Sequence, residues 1–127
     1  MKNLILLLLI SLTAMKSCKN NHELSQEQEE QNLEEMYVEI EALANSQPCT
    51  DPNDWMFTEI GAKACGGPVG YIPYSGNINT ESFLEKVKNY TAAQEAFNKK
   101  WGIVSDCSLP PKPSGIECRD GAPHFVY

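Results

Sequence analysis

Five cysteines, two histidines and seventeen carboxylates are the side chains of this 127-residue sequence with the most chemistry in them, and their spacing limits what they can do. Nucleophilic catalysis needs a positioned proton acceptor. His22 lies in a polar stretch near the start, which leaves His124, and no local spacing brings Ser105, Asp106 or Ser108 beside it. Fifteen residues separate Cys49 from Cys65 and ten separate Cys107 from Cys118, unlike the close ligand pairs of a zinc site. Asp51, Asn53 and Asp54 offer oxygens, but no twelve-residue loop ending in glutamate follows them; a capped turn is the simpler reading. Gly66-Gly67-Pro68-Val69-Gly70 lacks the Gly-Lys-Ser/Thr ending of a phosphate loop, and Pro68 has no N–H to give. Glu59, Asp106 and Glu117 are expected as surface charge, because a glycosidase pair needs a cleft that short loops would not build. No catalytic residue, metal or other cofactor is expected, and the chain is predicted not to be an enzyme.

The cysteines have a simpler use. Lys2 and Asn3 precede an unbroken apolar run from Leu4 to Ile10, then Ser11, Leu12, Thr13 and Ala14, the layout of a secretory signal. At about 1.5 Å per residue this run covers roughly half of a bilayer core about 30 Å thick, too little for a comfortable span. Met15-Lys16-Ser17-Cys18 resembles the lipobox of bacterial lipoproteins. The resemblance implies removal of residues 1–17, palmitate-type acylation of Cys18, and a lipid anchor in the cell envelope, with the outer membrane of a Gram-negative bacterium as the expected place. Cleavage after Ala14 and release as a secreted or periplasmic protein is the alternative. The odd cysteine count points the same way. With Cys18 carrying lipid, an even four remain to pair in an oxidising compartment, where three connectivities are open. The nearest-neighbour scheme, Cys49 to Cys65 and Cys107 to Cys118, closes the shortest loops and ranks first.

These residues need elements to hold them. Residues 18–27 read as a polar tether. Over residues 28–45, Leu33, Met36, Tyr37, Ile40 and Leu43 recur at helical spacing with glutamates between them, and Ser25 with Gln28 could form a capping box. Residues 46–127 form the remaining domain. Trp55 to Ala64 and Val69 to Tyr74 read as short strands around a glycine turn. Asn79 or Thr80 caps a second helix whose stripe is Phe83, Leu84, Val87, Tyr90, Phe97 and Trp101, with Gly102 beyond its end. Asp120-Gly121 marks a closing hairpin. The predicted class is α+β: two amphipathic helices packed on a small, mainly antiparallel, disulfide-stabilised sheet.

Glu23 to Glu41 holds eight glutamates and no base, and removal of Lys2 and Lys16 would move the formal charge from −7 to −9. Such a surface repels nucleic acid and anionic headgroups, so neither is an expected partner. The expected role is a non-enzymatic binding module that meets an envelope protein or a glycan. Tyr71 and Tyr74, set among prolines and glycines, are the candidate exposed aromatics. Leu109 and Lys112 lie in the proline-rich stretch between Cys107 and Cys118. Closed as a ring, that stretch would be stiff enough to dock into the cleft of an exported hydrolase as an inhibitor; a small envelope enzyme is the third reading. Two further segments, Ile60-Gly61 to Gly67-Pro68 and Ser105-Asp106-Cys107, look motif-like without suggesting an activity.

Overall fold

A computed structural model describes residues 23–127. The lipobox-like segment and Cys18 lie outside the described residues. Helix α1 (Gln26–Ala44) starts two residues before the expected boundary, because Ser25 caps it: the Gln28 N–H donates to Ser25 Oγ while the Ser25 N–H donates to Gln28 Oε1. This reciprocal box satisfies two donors that a helix start leaves orphaned. After Pro52–Asp54, one 3-10 turn capped by Asp51, strands β1 (Trp55–Ile60) and β2 (Gly70–Ser75) form an antiparallel hairpin. Helix α2 (Thr80–Trp101) follows, capped by the Asn79 side chain and ended by Gly102. Strands β3 (Gly115–Arg119) and β4 (Ala122–Val126) make the second antiparallel hairpin. Asp120 and Gly121 both take positive φ, 52° and 77°, the backbone that lets a two-residue turn match the twist of its strands.

The class is α+β, as the sequence implies, but the strands form two separate two-stranded sheets. Strand periodicity explains how they stack. One face of β1 and β2 carries Ile60, Ile72 and Tyr74, which join Ile40, Ala44, Phe83, Val87 and Tyr90 in the buried core between helices and first hairpin. The other face carries Phe57 and Tyr71, and Phe57 meets Phe125 of the second hairpin edge to face at 5.9 Å. The first hairpin therefore lies between the helical pair and the second hairpin. Leu84, placed on the apolar stripe by its spacing, is 39% exposed and stands off the core.

Two disulfides tie these layers, and their pairing corrects the expected one. Cys49 bonds Cys118 and Cys65 bonds Cys107. Cys49 precedes β1 and Cys65 follows it, so a strand of six residues, about 20 Å long at 3.3 Å per residue, separates them. Bridged cysteines need Cα atoms within about 7 Å. Cys118 meets Cys49 at the first end of β1, and Cys107 meets Cys65 at the other, which separates Cys107 from Cys118 in turn.

The two helices are latched at the open end of their pair. Glu29 of α1 accepts from Lys100 Nζ at 2.6 Å and from Trp101 Nε1 at 2.8 Å, and the same ammonium lies 4.9 Å from the centre of the Trp101 ring. The hydrogen bonds from Lys100 and then Trp101 hold the Glu29 carboxyl below its ordinary value of 4.5. A carboxyl with a depressed folded pKa adds stability above its unfolded pKa and loses it as pH falls through the folded value. The melting-temperature difference between the parent and Glu29→Gln is therefore expected to be full at pH 7, to shrink as pH falls below the ordinary 4.5, and to be gone once pH passes below the depressed folded value. A difference that persists unchanged at pH 3 would assign the latch to packing instead.

Candidate functional site

The concave surface with the most polar chemistry lies where the loop between β1 and β2 leans on the second half of α2. It is a groove of about 450 Å³, lined among others by Lys63, Gly66, Gly67, Asn98, Lys99 and Ile103. Polar residues of α2 hold the loop. Thr91 Oγ1 accepts from the Gly61 N–H at 3.0 Å, Gln94 Oε1 accepts from the Ala62 N–H at 2.7 Å, and Asn98 Nδ2 donates to the Ala62 carbonyl at 2.8 Å. Gly61 must be glycine here: its φ is +79°, and a Cβ would lie 2.7 Å from Gln94 Oε1 and 2.9 Å from Val69 Cγ2.

The two motif-like segments of the sequence meet at the lip of this groove. The segment from Ile103 to Ser114 has no regular structure and crosses the loop as a strap. The Lys63 ammonium forms an ion pair with Asp106 and donates to the Ser108 carbonyl at 2.6 Å. Ser108 Oγ donates to Asp106 Oδ1 at 2.9 Å, and Ser105 Oγ accepts from the Cys65 N–H at 3.2 Å. Hydrogen bonds from Lys63 and then Ser108, with the ammonium's charge, hold the Asp106 carboxyl below the usual aspartate range. Lys63 thus reaches across to Asp106 and the Ser108 carbonyl while Ser108 Oγ bonds Asp106 within the strap, an arrangement that fastens the strap to the loop. The Cys65–Cys107 disulfide completes the fastening.

The residues singled out from the sequence fare differently. Tyr74 is not a surface aromatic: it is 7% exposed and stacks on Phe83 with ring centres 4.8 Å apart. Strand alternation turns it to the helices, alongside Ile72. Tyr71 points to the opposite face and is half-buried against Phe57, at 6.0 Å. Leu109 is 67% exposed and Lys112 is also exposed. The stretch that carries them is no Cys107–Cys118 ring, because those cysteines have other partners. It is braced instead by the Cys65 bridge at one end and at the other by buried Pro113 and the Ser114 N–H, which donates to the Val126 carbonyl at 2.7 Å. The glycine turn offers no phosphate cradle, since the Gly66 N–H donates to the Lys63 carbonyl and the Lys63 N–H to that of Gly67. His124 is exposed on the outer face of β4, opposite Glu117. Among the described residues, no three His, Cys, Asp or Glu side chains are placed to hold a metal ion, and no helix is long and apolar enough to cross a membrane.

Lys63, Thr91, Gln94 and Asn98 were not singled out by spacing. A partial signal was there to find: Thr91, Gln94 and Asn98 recur at helical intervals between Tyr90 and Trp101, which puts three polar side chains on one face of α2. No known protein family, characterised protein or solved structure matches the chain.

Proposed function

We propose that this chain is an exported lipoprotein, acylated on Cys18, whose folded part is a non-enzymatic binding module of the cell envelope. The observation that carries this reading is the cysteine pairing. All four cysteines among the described residues bridge one another, and Cys18 is the fifth of the sequence, set in a lipobox-like context directly after a short apolar run. Two disulfides suit an oxidising compartment. The polar atoms of Lys63, Asp106 and Ser108 tie the strap to the loop, and those of Thr91, Gln94 and Asn98 tie the loop backbone to α2, which favours a scaffold over a reaction centre. In this reading the acidic helix α1 lies next to the tether and the strap side presents the contact surface.

A specific observation also favours the inhibitor reading. Leu109, Pro111 and Lys112 are exposed on a stretch braced at both ends, so it would lose little conformational freedom on docking into a protease or other hydrolase cleft. One set of measurements addresses both. Intact mass of the protein from a bacterial envelope fraction is expected to show a chain starting at Cys18, with acyl chains and four fewer thiol hydrogens. Cys18→Ser is expected to abolish the acyl mass, and an unacylated chain starting at Met15 would overturn the anchor. Leu109→Ala/Lys112→Ala is expected to remove partners captured by the parent protein; an unchanged partner set would exclude that segment as the contact.

A further inference from the structure

The two disulfides differ in how open they are to an attacking thiol. Thiol exchange requires a thiolate to reach a sulfur, so access sets the rate for otherwise similar bonds. Cys49 is 3% exposed, its N–H donates to the Gly121 carbonyl at 2.8 Å, and its partner Cys118 sits within β3 on the side that faces the first hairpin. Cys65 and Cys107 are both exposed, and both lie in irregular segments. Cys65 stands between Ala64 and Gly66, which line the 450 Å³ groove.

What each bond holds differs as well. Cys49–Cys118 joins the end of α1 to the second hairpin, so opening it loosens two layers of the fold. Cys65–Cys107 joins two surface loops. Without it the inner loop still has its three hydrogen bonds to Thr91, Gln94 and Asn98 of α2. The strap would keep the Lys63 bonds to Asp106 and to the Ser108 carbonyl, the Ser105 bond to the Cys65 N–H, the approach of Leu109 to Gly67, and its far brace at Ser114. Asp106 is 73% exposed and Lys63 16%; a few polar contacts open to water on one side hold far less firmly than a covalent bond, so the strap would lift while the core stays closed, a local opening rather than unfolding.

We propose that Cys65–Cys107 is a thiol–disulfide exchange site, opened by an external dithiol with the fold and the Cys49–Cys118 bond intact, and that its reduction frees the strap over the groove. In the step, a thiolate of the dithiol attacks one cysteine sulfur. The S–S bond breaks, and its electron pair leaves on the other cysteine, which takes up a proton. The second thiol of the dithiol then attacks the mixed disulfide and releases the first cysteine as a thiol. Two electrons and two protons pass to the protein, and the dithiol leaves as a cyclic disulfide. The proposal does not rest on the lipid anchor.

The test uses the full folded chain with free thiols first blocked by N-ethylmaleimide. Dithiothreitol is then added under native conditions, samples are alkylated over time with iodoacetamide, and peptides are mapped by mass. Carbamidomethyl labels on Cys65 and Cys107 are expected to appear roughly tenfold or more faster than on Cys49 and Cys118. Over the same interval the amides of both helices and both hairpins should keep their protection, and faster hydrogen exchange should be confined to residues 62–68 and 103–112. All four labels rising together, or Cys49 and Cys118 leading, would overturn the proposal. Cys65→Ser/Cys107→Ser supplies the second arm: it is expected to fold and to show the same local exchange without reductant, and a variant that does not fold would overturn the claim that opening is local.

Discussion

Phe83→Ala is expected to cost about 3–5 kcal/mol of folding stability, the range for truncating a buried aromatic to a methyl group. Phe83 is 1% exposed and lies with Ile40 among the most deeply buried large side chains. It projects from the first turns of α2 onto the ring of Tyr74, at 4.8 Å and 30° between planes. It therefore joins helix to hairpin at the centre of the core. Removing the ring takes away its transfer energy and leaves a cavity walled by Ile40, Val87 and Tyr74, which are themselves fixed by backbone elements and cannot collapse inward fully. Small domains are stable by about 5–15 kcal/mol in total, so the loss is a large fraction of the whole. In urea unfolding at about 1–3 kcal/mol per molar, the midpoint should fall by roughly 2 M with little change in slope. Phe83→Leu, which keeps most of the volume, should lose about 1.5 kcal/mol. Equal losses for Leu and Ala would mean that the ring stack, rather than the filled volume, carries the effect.

That core was legible because both helices write it at a period of 3.6. Leu33, Met36, Tyr37, Ile40 and Leu43 on α1, and Phe83, Val87 and Tyr90 on α2, lie in or against one cluster. Caps and turns were legible for the same local reason: Ser25 with Gln28, Asn79, and Asp120-Gly121 each act within four residues of themselves. Tyr74 shows where local reading runs out. Its proline and glycine neighbours suggest a loop, yet the alternation Ile72–Tyr74 assigns both to the helix side once the register with β1 is known. Register is a pairing property, and one step of slip would have turned Tyr71 toward the helices and Tyr74 toward the second hairpin. The groove was half legible. Gly61 to Pro68 and Ser105 to Cys107 stand out as segments, but nothing within either says that Lys63 reaches Asp106 across 43 positions. The cysteine pairing is of the same kind: loop length favours near neighbours, and the rigid length of β1 overrides it.

Removing the Cys49–Cys118 bridge tests that override. The bond closes a loop of 69 residues, and in the chain-entropy account a loop of that length restrains the unfolded chain by about 4 kcal/mol. Cys49→Ala/Cys118→Ala, which avoids leaving reactive thiols, is expected to lose on the order of 2–5 kcal/mol. The damage should centre on the second hairpin. Cys49 anchors the turn after α1, and Cys118 lies on the same side of its hairpin as Phe125, the side that meets Phe57. A two-stranded hairpin is marginal on its own in water, so β3 and β4 depend on this bond and on the Phe57–Phe125 contact to stay docked. Hydrogen exchange is therefore expected to rise first across residues 115–126, with the amides of α2 protected until global unfolding. Uniform loss of protection would show that the second hairpin folds only with the helices. An unchanged urea midpoint would show that packing alone docks the hairpin and that the bond adds nothing to it.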